Sequence, residues 1–418
     1  MRRSPNARRP AKLRVAVVTG TRAEFGLLVP VMRAVEKHKR LTLQVVAAGA
    51  HFLSPARTIR DVEAEFKVAA RVPMQQPGKT GRHADAAALG RGVTGFTRAF
   101  ARLKPDWVVV LGDRIEAFAA ASAASIAGIA VCHIHGGDRA EGIADEAMRH
   151  AITKLSHLHC AATKRSAERV VRLGENPKRV HLTGSPAIDG LRGIKPMSDR
   201  EAAEFGDPQS VVLLHPSGLA DSSEAFLADA ILGELSWCGL ETVVVLSPNA
   251  DPGSAAIRTV FDRWRHNETG VIPANLSLSG RATPRFVFPD HLPRRTFVAL
   301  LKRLALTRKV GTIETRGLLI GNSSAGLIEA AAIGLPVVNI GERQSGRERA
   351  ANVIDVPFKR SRMWSVGTLE GAIGRATFDV KALGDHPYGD GRAGPRIANL
   401  LARTNPHDPS LLRKRNAY

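Results

Sequence analysis

The chain has 418 residues, 44% apolar and 24% charged, an ordinary globular balance that excludes a disordered chain. That length exceeds one typical core, so two domains are expected. No run of 18 apolar residues is present, which speaks against a membrane-spanning helix.

The formal charge of +21 is partly local, because six basic residues fall within the first 14 positions (Arg2, Arg3, Arg8, Arg9, Lys12 and Arg14). Residues 1–12 therefore read as a solvated basic arm. Aromatic residues make up only 5% of the chain and no nucleic-acid module is recognisable, so the charge points to steering of an anionic substrate rather than to nucleic acid. The basic start is not followed by an apolar segment of signal-peptide length. The three cysteines, Cys132, Cys160 and Cys238, form no CxxC pair. A reducing, cytoplasmic setting is the expectation.

Taken in chain order, the first half alternates strands and helices. Residues 13–20 (LRVAVVTG) read as a strand ending in glycine, and 24–38 carry apolar residues at helical spacing. Residues 41–49 form the next strand, 84–103 a helix with glycine interruptions, and 106–113 (DWVVVLGD) a continuous apolar strand buried on both faces. An Ala-rich helix at 116–128, a strand at 130–137, a helix at 144–155 and a strand around LSHLHCAAT follow. The rhythm restarts after a Gly/Pro-containing linker at 190–198. Strands are expected at 210–218, 241–249, 317–326 and 336–341, with helices at about 223–236, 297–306 and 327–334. Segments 265–285 and 305–316 read as surface loops.

This pattern predicts two doubly wound, Rossmann-like α/β domains with a cleft between them. The expected boundaries are 13–190, 191–384 and a C-terminal segment, 385–418. Ligands of open parallel sheets bind beyond the carboxyl ends of the strands. The polar turns at Asp113, His135–Asp138, His215 and Ser323–Ser324 all fall there.

Three stretches carry candidate chemistry. GTRAEFG (20–26) places Arg22 where a helix N-terminus favours an anion. It lacks the GxxxxGK[ST] pattern of a P-loop. In GNSSAGLIEAAAIGLP (321–336), backbone N–H groups of Ser323, Ser324 and Ala325 can face a phosphate, and Glu329 can take two ribose hydroxyls. The plain alternatives are a capped helix with a solvated Arg, and an N-cap serine with an exposed Glu.

The third stretch, CHIHGGDRAEGIADEAMRHAITKLSHLH (132–159), holds five histidines and four acids. A zinc site would take His133 and His135 and would need His157 and His159 to complete it, although these sit in what reads as another strand. An acid–base apparatus fits the spacing better. Gly136-Gly137 would free Asp138 to project, and Asp145 with Arg149 makes an i, i+4 pair at a helix start. With Asp113, three carboxylates would gather near one site, where mutual repulsion can separate an acid from a base. A solvated helix pair is the plain alternative for Asp145 and Arg149.

Together GTRAEFG, LGDRIEA, HIHGGDRAEGIADEAMRHAITKLSHLH, LLHPSG and GNSSAGLIEAAAIGLPVVNIGERQSGRERAANVIDV resemble the UDP-N-acetylglucosamine 2-epimerase family, closest to its hydrolysing, sialic-acid-type branch. The resemblance runs from about residue 13 to about 403. It implies a glycosyltransferase-B-type fold whose C-terminal helix, within 386–403, crosses back to the first domain. It also implies conversion of UDP-N-acetylglucosamine and water to N-acetylmannosamine and UDP, through elimination to a 2-acetamidoglucal and addition of water. On this basis Asp113, Asp138 and Asp145 match the catalytic carboxylates, Arg149 orients Asp145, and His215 lies near the leaving diphosphate. Arg22, Ser323, Ser324 and Glu329 match UDP-contacting positions; with His135 and Asn249 they form the expected substrate-binding set. No metal or other cofactor is expected, and a dimer or tetramer is.

Two departures stand out. Residue 138 is Asp where the sialic-acid branch often has Glu, about 1.5 Å shorter in reach. Residue 135 is His where the non-hydrolysing branch has Glu. A modified UDP-2-acetamido sugar, such as a diacetylated bacillosamine, a non-hydrolysing epimerisation to UDP-N-acetylmannosamine, and a glycosyltransferase on the same fold are the alternatives.

Overall fold

Residues Leu13–Thr19 are mostly β-branched or small and apolar, and in the computed structural model they form the first strand, β1. The structure describes residues 12–54, 57–79, 81–139, 145–249, 251–266, 284–289, 292–310, 312–358, 368–378 and 386–417. These fall into two units. The first takes the described residues up to Asp138, Ala147–Asp189, and those from Arg392 onward; the second takes Gly190–Gly391 together with Arg139, Asp145 and Glu146.

In the first unit β1 leads to α1 (Arg22–Lys37), β2 (Leu41–Ala48), α2 (Ile59–Glu65) and β3 (Val68–Val72). Then come α3 (Arg82–Leu103), β4 (Trp107–Leu111), α4 (Ile115–Ile126), β5 (Ala130–Ile134), α5 (Asp145–Leu155), β6 (Leu158–Ala161), α6 (Lys164–Arg172) and β7 (Val180–Leu182). The seven strands pair in the order β3-β2-β1-β4-β5-β6-β7, all parallel. Parallel neighbours need crossovers, so both sheet faces carry helices and the central strands are apolar throughout. One face packs Leu28, Val31, Met32 and Val35 of α1 against Val15, Val17 and Trp107. The other packs Phe96 and Phe100 of α3 and the alanines of α4 against Ala16, Val108 and Val110.

The second unit contains α7 (Asp199–Ala203), β8 (Ser210–Leu213), α8 (Asp221–Leu235), β9 (Thr242–Leu246), α9 (Ser254–Arg265), β10 (Arg285–Val287) and α10 (Arg294–Leu304). A short antiparallel hairpin, β11 (Arg308–Val310) with β12 (Ile313–Thr315), precedes β13 (Leu318–Gly321), α11 (Ser324–Leu327), α12 (Glu329–Ile333), β14 (Val337–Ile340), β15 (Val353–Val356) and α13 (Thr368–Phe378). Its main sheet is parallel in the order β10-β9-β8-β13-β14-β15. Segment 305–316 is thus a hairpin over part of its length rather than a plain loop. Most of segment 265–285 lies outside the described residues. The helix expected at 327–334 is two short helices, because Ile328 departs from helical geometry at φ −105° and ψ −69°.

The chain returns to the first unit through α14 (Ala393–Arg403) and α15 (Pro409–Leu412). Ile397, Ala398 and Leu401 of α14 join the α1 face of the core. Gly394 sits so close to α1 that a Cβ there would stand 2.6 Å from the Pro30 carbonyl oxygen. Asp189, where the chain leaves the unit, accepts from the N–H groups of Ala393 at 2.9 Å and Gly394 at 2.6 Å, and so caps the returning helix. No described helix is long and apolar enough to cross a membrane.

Candidate active site

Each sheet reverses its strand order once, between β1 and β4 in the first unit and between β8 and β13 in the second. Crevices of such sheets open beyond the strand carboxyl ends at those points. Asp113 follows β4 by one glycine, Gly112, whose φ of 77° turns the chain out of the sheet. Its carboxylate ion-pairs with Arg149, whose side chain is 4% exposed against 18% for Asp113. Arg149 also donates to the carbonyl oxygen of Asp138 at 2.6 Å. One guanidinium from α5 thus ties the turn after β4 to the turn after β5. His133 braces the same corner: its Nε2–H donates to the Gly112 carbonyl at 2.7 Å, and Thr153 donates to its Nδ1 at 3.1 Å.

Asp138 stands otherwise than the sequence suggested. Its side chain does not project. It is 5% exposed, with Oδ2 2.9 Å from His135 Nδ1 and Oδ1 accepting from Ser166 Oγ at 2.8 Å. The reason is the turn itself. Gly137 has φ 78°, and a Cβ there would lie 2.1 Å from the Ser166 carbonyl oxygen, so the turn folds down onto α6. His135 is held in the left-handed region at φ 66°, uncommon for a residue other than glycine. Its Nδ1–H faces the carboxylate, and its Nε2 accepts from Ser185 Oγ at 3.0 Å. Ser185 in turn accepts from Ala187 N–H at 3.2 Å. A neutral imidazole satisfies every bond in this chain.

Of the remaining candidates, Asp145 begins α5, and its side chain lies outside the described ones. Arg22 begins α1, where Thr21 caps the helix, and its guanidinium pairs with Asp61 at 3.3 Å. Beneath the turn at Gly20 lies Glu116, fully buried, with Gln75 donating to it at 2.6 Å and Arg114 3.4 Å away. Burial, reinforced by Glu116, raises the Glu24 carboxyl to about 8.

In the second unit, Asn322 joins the two strands that flank the reversal. Its Oδ1 accepts from His215 N–H and its Nδ2 donates to the His215 carbonyl, each at 2.8 Å. The backbone N–H of Asn249 donates to His215 Nδ1 at 3.1 Å. An N–H can only donate, so the neutral ring carries its proton on Nε2. Burial, aided by Arg343, lowers the ring to about 3, which keeps it neutral at pH 7. Arg343 donates to the Pro216 carbonyl at 3.0 Å and lies 3.7 Å from Asp251. Ser323 is the N-cap of α11, accepting from Ala325 N–H at 3.3 Å, and Ser324 is its first residue. Glu329 is buried rather than exposed, and Arg294 donates to its Oε1 at 3.0 Å. His215, Asn249 and Asn322 are therefore in direct contact, while Glu329 is fixed by a different partner.

The family model described as UDP-N-acetylglucosamine 2-epimerase matches residues 33–402. The chain belongs to that family. Members of the UDP-N-acetylglucosamine 2-epimerase family similar to it include the UDP-N,N'-diacetylbacillosamine 2-epimerase (hydrolyzing) of Legionella pneumophila, 31% identical over 97% of this chain and 99% of that protein. The UDP-N-acetylglucosamine 2-epimerase of Neisseria meningitidis serogroup B is 28% identical over 84% and 85%. Among solved structures, the Methanocaldococcus jannaschii UDP-GlcNAc 2-epimerase in complex with UDP-GlcNAc and UDP superposes with a TM-score of 0.73 at 17% identity, covering 94% of this chain and all of that one. At that identity the likeness is one of fold: two parallel-sheet α/β domains of the glycosyltransferase-B type.

The two histidines that a zinc site would have needed beside His133 and His135 have partners of their own. His157 Nδ1 accepts from Val131 N–H at 3.0 Å, and His159 Nε2 lies 3.0 Å from Glu175. Among the described residues no cluster of three His, Cys, Asp or Glu side chains is arranged to hold a metal. Sequence reasoning missed Ser166, Ser185, Asn322, Arg343 and Arg294. Asn322 had a signal: an amide directly after an apolar strand and before an N-cap serine. Arg294, 35 residues from Glu329, had none.

Proposed function

We propose that this epimerase is of the hydrolysing kind and acts on a UDP-linked 2-acetamido sugar. In this reading a carboxylate takes the C2 proton as the C1–O bond breaks and UDP leaves with the electron pair, giving a 2-acetamidoglucal. Water then adds at C1, losing a proton, while C2 is protonated from the opposite face. One water is consumed, and the products are the free C2-epimeric sugar and UDP. The C2 hydrogen is only weakly acidic, so positive charge must develop at C1 first, and an anion beside C1 stabilises it.

The observation that supports this most is Arg149, bonded at once to Asp113 and to the turn of Asp138. It draws two separate motifs of the chain, LGDRIEA and the 133–159 stretch, to one corner. Asp113, the more exposed carboxylate, is suited to meet the sugar, and Asp145 is assigned to the same catalytic set. Asp138 acts through His135. His215, neutral with Nε2–H free of the Asn249 bond, suits donation to a leaving diphosphate oxygen. Arg22, Asn249, Ser323, Ser324 and Glu329 are assigned to the UDP portion.

Two sugars compete. His135 favours the hydrolysing branch, and the motif set favours UDP-N-acetylglucosamine, giving N-acetylmannosamine. The Legionella relative, similar over nearly both whole chains, favours the diacetylated bacillosamine instead. Product analysis by NMR with both UDP-sugars decides. Free UDP and a free epimerised sugar are expected from one of them; an epimerised sugar still linked to UDP, or a requirement for an acceptor, overturns the hydrolysing reading. Asp113→Asn keeps an acceptor for Arg149 but removes the charge. Turnover is expected to fall by roughly 10²–10⁴-fold, and near-normal turnover in a folded variant would sink the carboxylate mechanism.

A further inference from the structure

On the first unit, β3 is an edge strand of the sheet and α3 covers its flank. Between them lies a groove of about 600 Å³, within the range of small-molecule sites. Four arginines line it, Arg71 from β3 and Arg91, Arg98 and Arg102 from α3, and no carboxylate does. The three on α3 stand at i, i+7 and i+11, which puts them on one stripe spanning roughly 16 Å.

These charges are little compensated. Arg71 pairs with Glu63. Arg91 Nε donates to the Met74 carbonyl at 2.8 Å and Arg102 to the Ala69 carbonyl at 3.4 Å, bonds that fix each guanidinium without neutralising it. Arg98 is exposed and makes no ion pair with a described residue. Like charges at i, i+4, as in Arg98 and Arg102, oppose helix formation. The helix also carries glycines where alanine would serve it better. Gly95 is explained by packing, since a Cβ there would stand 2.6 Å from Val72 Cγ1. Gly90 is not: a Cβ would meet nothing within 4 Å, and the residue lines the groove. A stripe of repelling guanidiniums beside an open floor is poor helix design and good anion design.

We infer that this groove is a second anion site, for a small molecule carrying two or more phosphate groups. Guanidinium forks match phosphate oxygens in pairs, and several along one stripe select for several phosphates over one. No aromatic side chain lines the groove to stack a base, which disfavours single-stranded nucleic acid. The large exposed apolar side chains among the described residues, Ile126, Leu182, Leu219, Phe226 and Leu306, are not in it, which disfavours a lipid surface. The groove does not include the residues assigned to the reaction, so this inference stands apart from the proposed activity.

Calorimetric titration of the full chain with inorganic tripolyphosphate, with UDP held at saturation, tests it. The unaltered protein should bind tripolyphosphate, and Arg91→Ala/Arg98→Ala/Arg102→Ala should bind it at least tenfold more weakly while titrating with UDP as before. ATP in place of tripolyphosphate tells whether a nucleoside adds affinity, and binding of either one in the groove supports the site. Equal affinity in both proteins, or no binding by the unaltered one, overturns the inference. So does duplex RNA binding that the triple variant loses, with no response to tripolyphosphate. If the triple variant does not fold, Arg98→Glu, at an exposed position with no ion pair to disturb, reads the same tenfold loss.

Discussion

Asp113 and Asp138 are one residue type in one corner of the molecule, yet their surroundings set them to different tasks. Asp113 has a single strong cationic partner and an open edge, whereas Asp138 has each oxygen engaged by a buried donor. Removing Asp138 would strand His135 Nδ1–H and the Ser166 hydroxyl in the interior, at about 1–3 kcal/mol for each unmet group. Asp138→Ala is therefore expected to lower the urea midpoint as well as the turnover, and an unchanged midpoint would show that the carboxylate is not buried as described. Both acids were singled out from the sequence. Their orientation was not legible, because it depends on how closely Gly137 approaches Ser166, a contact between segments about thirty residues apart. The shorter acid at 138 also gains a reason: its carboxylate meets His135, three residues back on the same turn.

At the scale of elements, α5 carries Arg149 at its middle and is fastened at its C-terminal end by Lys414. Lys414 Nζ donates to the carbonyls of Thr153, Lys154 and Ser156 at 3.1, 2.7 and 2.7 Å and reaches Glu175 at 2.6 Å. Helix C-termini present unpaired carbonyls with partial negative charge, so a half-buried ammonium there meets several needs at once. Lys414→Met should destabilise the fold by about 2–4 kcal/mol, since it leaves Glu175 one cation short and the carbonyls unmet. The check is thermal unfolding beside Lys414→Arg, which restores the charge; equal melting of Lys414→Met and the unaltered protein contradicts the clamp. The long apolar strands were plain in the sequence, as in Trp107–Leu111, where burial on both faces leaves no alternation to misread. The edge elements were not: β7 is three residues long with a histidine at its centre, and the β11–β12 hairpin lies in a basic, punctuated segment that reads as loop.

For the molecule as a whole, buried imidazoles dominate the response to acid. His51 and His157 are lowered to about 4 and His133 to about 3, in each case chiefly by burial. Unfolded, they take up protons near pH 6.5, so between that pH and 4 the unfolded chain binds more protons than the folded one. Stability is full above 6.5 and falls on acidification, by about 1.4 kcal/mol per histidine per pH unit. Glu175 acts in the same direction at lower pH. Burial alone would raise it, but His159, Lys414 and Lys154 bring it down to about 2, so its contribution is present above 4.5 and is lost as pH falls toward 2. Glu24 works the other way: raised to about 8, it favours the fold below 4.5 and loses that advantage as pH rises through 8. Urea midpoints should therefore drop steeply from pH 6.5 to 4 and decline only gently toward pH 8. A flat profile on the acid side would mean that these histidines are solvated.

The cap that Asp189 places on Ala393 and Gly394 bears on how such a molecule is assembled. Two positions about two hundred residues apart in the chain are separated by a single hydrogen bond. The stretch Gly190–Gly391 is thus an insertion whose entry and exit share one seam. A chain emerging in order from a ribosome would leave the first sheet without its α14 covering until all of Gly190–Gly391 had been made.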